Sequence, residues 1–275
     1  MAICSRCGPD AVSSAGEAGL CPACLLRLGL DTAEDDDAFD LADGLRVLAP
    51  IGRGPGATVY LAKATRGDRR FVTIKLFEAP VHVSRFTARV RDLITRIETC
   101  EAAPNLTVLD AGILEPSRGY VVARYVSGMP IDAYVKGPAR RRADALPLLA
   151  RVCRLISQLH AAGIVHGAIK APNIIVSADP EGAEPMLLDA GLRNAFESSL
   201  AGFGSPPHTP RVRAPDRRSD LAGLRALAAD LVADRHPAES ASELIQALAR
   251  REFETASELA EEAAALASRA SRTVW

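Results

Sequence analysis

Apolar and polar residues follow two different spacings along the chain. Short runs rich in Val, Ile, Leu and aromatic residues, separated by Gly-, Pro- and charge-containing turns, predict β-strands. Longer stretches with apolar residues every three or four positions predict amphipathic helices. Strands that mostly precede helices predict an α+β protein. The predicted strands are 45–51, 58–64, 71–77, 106–113 and 120–126, and the predicted helices are 83–99, 143–162, 220–233 and 240–267.

Composition limits the classes of protein that this pattern can represent. The chain has 275 residues, of which 48% are hydrophobic, 24% charged and 4% aromatic, as is usual for globular proteins. The formal net charge of −1 gives no global reason to expect nucleic acid or an anionic membrane as a partner. No apolar run approaches the ~18 residues that span a bilayer, and the first residues do not resemble a signal peptide. We therefore expect a soluble, cytoplasmic protein without a nucleic-acid or membrane partner.

The first 24 residues contain four of the six cysteines, as two Cys-x-x-Cys pairs. Two residues between thiolates let one turn present both sulfurs to a single ion, and two such turns complete a tetrahedral Zn²⁺ site. The alternative is a pair of disulfides, which a reducing cytosol disfavours. The sequence predicts a structural zinc knuckle over 1–30 and, from its clustered carboxylates, an acidic linker over 31–44. The predicted zinc ligands are Cys4, Cys7, Cys21 and Cys24.

A glycine-rich segment lies between the first two predicted strands. Glycines there let backbone amides approach phosphates closely, because no Cβ intervenes. The next strand carries Lys75 at the end of the sequence Val-Thr-Ile-Lys. Together the two segments resemble the glycine-rich loop and the phosphate-binding lysine of eukaryotic-type protein kinases. The residues that this resemblance assigns to nucleotide binding are Gly52, Gly54, Gly56, Val59 and Lys75.

Further kinase-like segments follow in the order that the family shows. Segment 166–173, His-Gly-Ala-Ile-Lys-Ala-Pro-Asn, is similar to the catalytic loop, and segment 189–191, Asp-Ala-Gly, is similar to the metal-binding turn. Segment 120–126 resembles the fifth strand and hinge, with the small Ala123 at the gatekeeper position. Segment 216–221 resembles the start of the central helix of the helical lobe. On these motifs the chain is identified as a member of the bacterial branch of the Ser/Thr protein kinase-like family.

The resemblance implies a bilobal protein-kinase-like fold over 45–270, preceded by the small zinc-ribbon-like module. The β-rich N-lobe would cover about 45–126 and the helical C-lobe about 127–270. The C-lobe is shortened, since the chain after the central helix leaves no room for the segment that usually forms a docking helix. In the family a Glu that ends the activation segment pairs with an Arg between two late helices. Arg211 and Glu252 fall at these positions with exchanged charge, which predicts either a buried pair of reversed polarity or two unrelated surface charges.

Three segments depart from the pattern on which catalysis in the family depends. The His-Arg-Asp of the catalytic loop becomes His166, Gly167 and Ala168, and alanine cannot accept the proton of a substrate hydroxyl, so this loop supplies no catalytic residue. The Glu that pairs with the lysine falls on Arg89, with Asp92 one turn later as an alternative. The Phe of Asp-Phe-Gly becomes an alanine, which leaves a hole unless larger neighbours fill it.

Four residues of the family's nucleotide site are retained. By resemblance, Lys75 and Lys170 contact phosphates, and Asn173 and Asp189 bind Mg²⁺. The alternative is that these four side chains persist only as structural hydrogen-bonding groups.

The sequence leads to three hypotheses about function. The first is a pseudokinase that regulates or scaffolds a protein partner, namely an active kinase or another signalling regulator, with MgATP as its candidate ligand. The second is a weakly active Ser/Thr kinase that transfers the γ-phosphate of ATP to protein. The third is a nucleotide-free interaction scaffold. Ala57 at the third glycine position, and Thr73 in place of the alanine that contacts adenine, weigh against nucleotide binding.

Overall fold

The structure is a computed structural model that describes residues 39–42, 44–54, 56–65, 71–114, 116–137, 145–179, 182–200, 214–231 and 251–272. The predicted zinc knuckle over 1–30 lies outside these residues. Contacts group the described residues into two units. The first unit takes its residues from Met1–Arg91, Val108–Ser127 and Ser198–Pro207, and the second from Asp92–Thr107, Gly128–Glu197 and His208–Trp275.

The first unit contains a six-stranded sheet in which every neighbouring pair is antiparallel. The five strands predicted from the sequence are confirmed, with ends that shift by a few residues. The strands are β1 Phe39–Ala42, β2 Leu45–Gly54, β3 Ala57–Ala64, β4 Phe71–Pro80, β5 Val108–Leu114 and β6 Arg118–Arg124. Their spatial order is β1-β2-β3-β4-β6-β5.

Strand β1 corrects the prediction of an acidic linker over 31–44. Three of its four residues pair with the start of β2 at the edge of the sheet. Leu41 packs against the buried cluster of the sheet, which draws this end of the acidic segment into the fold. Phe39 and Leu41 alternate with Asp40, but this pattern beside a run of carboxylates is too short to predict a strand.

The two faces of the sheet carry different side chains. Val72, Ile74 and Leu76 of β4 point to one face, where they form a buried cluster with Val122 of β6 and with residues of β2 and β3. Successive side chains of a strand point to opposite faces, so the residues between them belong to the other face.

Helix α1 spans Val83–Glu98, close to the predicted 83–99. Its Phe86 is buried and meets the ring of Phe77 edge-on, with ring centroids 6.0 Å apart. A Cβ at Gly119 of β6 would come within 2.8 Å of the Phe86 ring. Glycine at this position therefore allows the helix to lie close against the strand.

Within its described residues the second unit is mainly helical, with a small antiparallel sheet of order β7-β8-β9. Helix α3 (Ala145–Ala161) packs along helix α6 (Ala256–Arg272), and the buried side of α3 is lined mainly by aliphatic residues. No helix in the described part of the chain is long and apolar enough to cross a membrane. The elements are β7 Met129–Pro130, α2 Ile131–Val135, α3 Ala145–Ala161, β8 Ile174–Asp179, β9 Gly182–Leu187, α4 Leu192–Glu197, α5 Arg217–Asp230 and α6 Ala256–Arg272.

One prediction for the end of the chain is wrong, and one of the two alternatives for Arg211 and Glu252 is excluded. The predicted helix 240–267 is not continuous, because residues 251–255 are not helical and α6 begins at Ala256. The Thr255 hydroxyl accepts a hydrogen bond from the Glu258 amide, which is the N-cap that starts this helix. Glu252 is exposed, which contradicts a buried ion pair, and its predicted partner Arg211 lies outside the described residues.

Candidate functional site

The nucleotide residues predicted in the first unit lie on the face of the sheet opposite its buried cluster. We call this face the site face. Strand register places Leu61, Thr73 and Ala123 in one row across β3, β4 and β6. The next row on the same face contains Val59 of β3, Lys75 of β4 and Val121 of β6. Gly52 of β2 pairs with Val59 at the end of this row. The sheet therefore brings together Gly52, Val59, Lys75 and the hinge-side residue Ala123.

Lys75 lies between apolar neighbours in the middle of this face. Val121 beside it is 1% exposed, and Val59 on its other side is half-buried. The Lys75 Nζ atom lies 6.0 Å from the centroid of the Phe77 ring, at the outer limit of a cation–π contact. The ammonium group is therefore kept on the site face.

The three loop glycines differ in how far the fold requires them. A Cβ at Gly54 would meet no heavy atom of the described residues within 4 Å, and one at Gly52 would meet only the Val59 Cβ at 3.9 Å. Gly56 has a φ of 81°, and its carbonyl accepts a hydrogen bond of 2.9 Å from the Glu78 amide. The backbone thus requires glycine at 56, whereas at 52 and 54 glycine leaves room that a ligand can use.

This difference predicts opposite results for two alanine substitutions. Gly56→Ala should lower the free energy of unfolding by about 1–2 kcal/mol, because a left-handed φ is costly with a Cβ. Gly54→Ala should change it by less than about 0.5 kcal/mol, since the added methyl meets open space. Urea denaturation of the two variants measures both values. Equal losses at the two positions would contradict the distinction.

The catalytic-loop segment of the second unit is anchored by Asp220 of α5, which is 1% exposed. Its carboxylate accepts hydrogen bonds of 2.8 Å from the backbone amides of His166 and Gly167. The His160 Nε2 atom lies 2.9 Å from the same carboxylate. Asp220 was not among the site residues predicted from the sequence, because an acidic residue in the first turn of a helix is ordinarily explained by the helix dipole.

Two further hydrogen bonds lie within the loop, whose sequence is altered. The Asn173 side-chain amide donates to the Ala168 carbonyl at 2.8 Å. Burial lowers the pKa of His166 below its ordinary value of 6.5, although nearby Asp220 raises it. The neutral imidazole agrees with the Ala168 amide donating to its Nδ1 atom at 3.3 Å. The loop is therefore well formed, but the side chain at 168 is only a methyl group.

Gly167 has the left-handed φ of 77°. A Cβ there would lie 3.1 Å from the Pro215 Cβ and 3.7 Å from the Arg193 Cβ. The arginine that the family has at this position is thus disfavoured here by both backbone conformation and space.

Asp189 begins the metal-binding turn just after β9. It is the one residue other than glycine with a positive φ, 61°, among the described residues. The Gly191 amide donates to the His166 carbonyl, and the Leu188 amide donates to the Asn173 carbonyl. These bonds join the turn to the catalytic-loop segment and place Asp189 beside Asn173. Non-glycine residues in this strained conformation are concentrated at functional sites.

Larger neighbours pack on the turn that lacks the family's Phe. Ala190 is 1% exposed. A Cβ at Gly191 would come within 2.6 Å of the Leu93 side chain and 3.3 Å of Ile164. Leu93 and Ile164 therefore lie close to this turn at Gly191, and Ala190 itself is buried.

Helix α1 does not supply a carboxylate in the family's manner. Arg89, at the Glu position, is exposed. Asp92, the alternative, pairs with Arg96 one turn later, and about half of each side chain is exposed. Asp92 therefore has a local surface partner, which argues against its substitution for the missing Glu.

Asn173 and Asp189 fit Mg²⁺ bound together with a nucleotide. Their oxygens are the ligand type that Mg²⁺ prefers, and phosphates usually complete its coordination. Asn173 uses its amide nitrogen for Ala168, which leaves the side-chain oxygen for a cation. Within the described residues no group of three or more His, Cys, Asp or Glu is arranged to hold a metal ion by itself. Lys170, the other predicted phosphate contact, is exposed and lies three residues before this Asn.

The four predicted zinc ligands, Cys4, Cys7, Cys21 and Cys24, lie outside the described residues, so the zinc site stays a prediction. The other two cysteines, Cys100 and Cys153, are buried. Burial raises the pKa of the Cys153 thiol, as expected for a small core residue and not a nucleophile.

The protein kinase domain family matches residues 45–222, which is more than half of the chain. The chain therefore belongs to the protein kinase domain family. It is 27% identical to the serine/threonine-protein kinase pkn2 of Myxococcus xanthus over 215 residues, which cover 73% of this chain and 26% of that protein. It is 29% identical to Pkn1 of the same organism over 208 residues, 70% of this chain and 29% of Pkn1.

A third relative is the serine/threonine-protein kinase PrkC of Bacillus subtilis. It is 28% identical over 224 residues, which cover 77% of this chain and 34% of PrkC. The chain thus spans between about a quarter and a third of the length of these curated relatives. The family match confirms the protein kinase family that the motifs indicated, and these bacterial Ser/Thr kinases are relatives at modest identity.

Proposed function

We propose that this chain is a catalytically impaired kinase domain that binds MgATP and regulates or scaffolds a protein partner. The observation that carries the proposal is the catalytic-loop segment. Its backbone is held as a formed loop by Asp220 and Asn173, yet the residue at the proton-accepting position is Ala168. A positioned general base contributes roughly 10²- to 10⁴-fold to a rate, so its loss impairs transfer without preventing nucleotide binding.

Nucleotide binding is supported by what the two units retain. In the first unit, Lys75 lies on the site face, and a Cβ at Gly54 of the glycine-rich segment would meet no described heavy atom within 4 Å, which leaves room for a phosphate. In the second unit, Asn173 and the strained Asp189 offer oxygens for Mg²⁺. The chain thus lacks the carboxylate that would accept the substrate proton, but it keeps the side chains that would bind phosphate and Mg²⁺.

The partner is proposed to be an active kinase or another signalling regulator in the cytoplasm. The predicted zinc knuckle of Cys4, Cys7, Cys21 and Cys24 would then serve as an interaction or stability module. A second candidate, a weakly active Ser/Thr kinase, is favoured by the retained Asp189 and by relatives that are named as kinases. The third candidate function is a protein-interaction scaffold that binds no nucleotide.

Calorimetric titration with ATP, with and without Mg²⁺, tests the proposal. The unmodified chain should bind MgATP, and Asp189→Asn should weaken binding about tenfold in Mg²⁺ while leaving Mg²⁺-free binding unchanged. Lys75→Ala should weaken both, because its ammonium contacts phosphate directly. Asp230→Asn, an exposed position at the end of α5, is the matched control and should bind like the unmodified chain.

The three functions give different results in these measurements. No binding of ATP at millimolar concentration would leave only the nucleotide-free scaffold. Transfer of labelled γ-phosphate by the unmodified chain, well above that of Asp189→Asn, would make the weakly active kinase correct.

A further inference from the structure

Strands β2 and β3 carry three basic side chains, Arg46, Arg53 and Lys63, and no acidic one. We call these three residues the basic cluster. Arg46 and Lys63 stand directly opposite each other in the register of the two strands, where like charges destabilise a sheet. None of the three belongs to an ion pair of the described residues. The cluster therefore favours an anion beside it.

Strand β1 covers only the beginning of β2 at this edge of the sheet. Phe39 pairs with Val47 and Asp40 with Arg46, whereas β2 continues to Gly54. Among the described residues no strand pairs with β2 on this side beyond Val47. Because the two strands are antiparallel, going back along the chain from Phe39 leads along β2 in the direction of Gly54. The residues that precede β1 therefore leave the sheet beside the open edge of β2.

An acidic run leads into β1. Four consecutive acidic residues, Glu34–Asp37, come directly before Ala38, and no Lys or Arg lies between Arg27 and Arg46. This run lies outside the described residues. Pro50 has no N–H, and β2 shifts register twice relative to β3, so a regular ladder is not expected along the open edge. Side-chain charge is then the main attraction that this edge offers, and its sign is opposite to that of the acidic run.

We propose that Glu34–Asp37 dock on the basic cluster of the same chain, along the open edge of β2. The chain is long enough, because the six residues from Val47 to Arg53 span about 20 Å and the eight residues 31–38 span up to about 28 Å when extended. The contact places carboxylates beside cations that otherwise repel each other. It fixes the segment that follows the predicted zinc knuckle to the first unit, and it covers a basic surface that would otherwise accept an acidic partner.

Limited proteolysis after Glu34 tests this docking. The protease is endoproteinase Glu-C, and each rate is divided by that of a free peptide with the sequence of residues 28–42. In about 20 mM salt, the cluster variant, Arg46→Gln with Arg53→Gln and Lys63→Gln, should be cleaved about five- to tenfold faster than the unmodified chain. In about 1 M salt the two rates should be equal, because the Debye length falls to about 3 Å.

Two matched variants separate docking from net charge and from loss of folding. Arg85→Gln with Arg91→Gln and Arg118→Gln removes the same charge from exposed positions of the first unit, and it should be cleaved like the unmodified chain. Arg46→Lys with Arg53→Lys keeps the charge of the cluster and should also be cleaved slowly. The urea midpoint of each variant shows that the sheet is still folded.

The acidic run supplies the reciprocal test, which leaves the strands unaltered. Asp35→Asn with Asp36→Asn and Asp37→Asn should raise the cleavage rate, relative to the peptide with the same changes, to the level of the cluster variant. Combining both sets of changes should raise it no further, since each set removes the same contact.

Three results would overturn the inference. Equal relative rates for the unmodified chain and the cluster variant would leave the basic cluster to a separate acidic partner. A rise of the same size in the variant of Arg85, Arg91 and Arg118 would show an effect of net charge alone. Protection that increases with protein concentration would assign the cluster to the acidic run of a second copy.

Discussion

The unmodified chain is expected to transfer no labelled γ-phosphate to a protein substrate above the level of its Asp189→Asn variant. Ala168 has no group that can accept the proton of the attacking hydroxyl, which lowers the rate by about 10²- to 10⁴-fold. Arg89 adds a second defect, because it places an exposed cation where the family has the Glu that orients the lysine. The measurement is a transfer assay with a generic substrate such as myelin basic protein, in which both variants are prepared identically.

Restoring the base alone should rescue little of this activity. Ala168→Asp returns a carboxylate to a loop whose backbone is already anchored, while Arg89 still occupies the position of the family's Glu. The double variant Ala168→Asp with Arg89→Glu should transfer more phosphate than either single variant, because both positions take part in the same reaction step. Full activity from Ala168→Asp by itself would show that the base is the one defect that matters.

The family's arginine should not be restored together with the base. Gly167→Arg puts a side chain on a residue with a φ of 77° and a Cβ 3.1 Å from Pro215. The double variant with Ala168→Asp should therefore unfold at a lower urea concentration than Ala168→Asp alone. A glycine at this position is thus part of how the degenerate loop fits its neighbours.

The elements that the sequence predicted well are those with strong local periodicity. The strands between Leu45 and Arg124 are short runs rich in Val, Ile, Leu and aromatic residues, and α1 repeats buried residues such as Phe86 and Val90 at helical spacing. Ordered motifs then identified the family, since each places a specific chemical group at a specific turn. Both kinds of signal are contained within a few consecutive residues.

The features that the sequence did not predict depend on contacts between distant segments. The anchoring by Asp220 joins residues more than fifty positions apart, and the role of one aspartate in it has no local pattern. The start of α6 depends on a single hydroxyl cap at Thr255. The hydrogen bond of Thr73 to Ala123 is set by the register of two strands that are not consecutive.

The largest loss of stability is expected at Asp220. Its carboxylate is almost fully buried and accepts bonds from the His166 and Gly167 amides, with His160 Nε2 also within 2.9 Å. Asp220→Ala leaves these buried donors without an acceptor, and each hydrogen bond to a charged group contributes about 1.5–3 kcal/mol. We expect the free energy of unfolding to fall by about 3–5 kcal/mol, which is in the range for breaking a buried polar network.

Two further variants distinguish the effect of losing the Asp220 hydrogen bonds from the effect of losing the N-cap of α5. Asp216→Ala removes the N-cap of α5, whose carboxylate accepts from the Ser219 amide at 2.9 Å, and should cost about 1 kcal/mol. Asp220→Asn keeps one acceptor oxygen but turns an amide donor towards backbone N–H groups, so it should fall between the two alanine variants. Hydrogen exchange should then show the His166 and Gly167 amides losing protection in Asp220→Ala and not in Asp216→Ala. If Asp220→Ala unfolds no more easily than Asp216→Ala, the carboxylate is not the anchor of the loop.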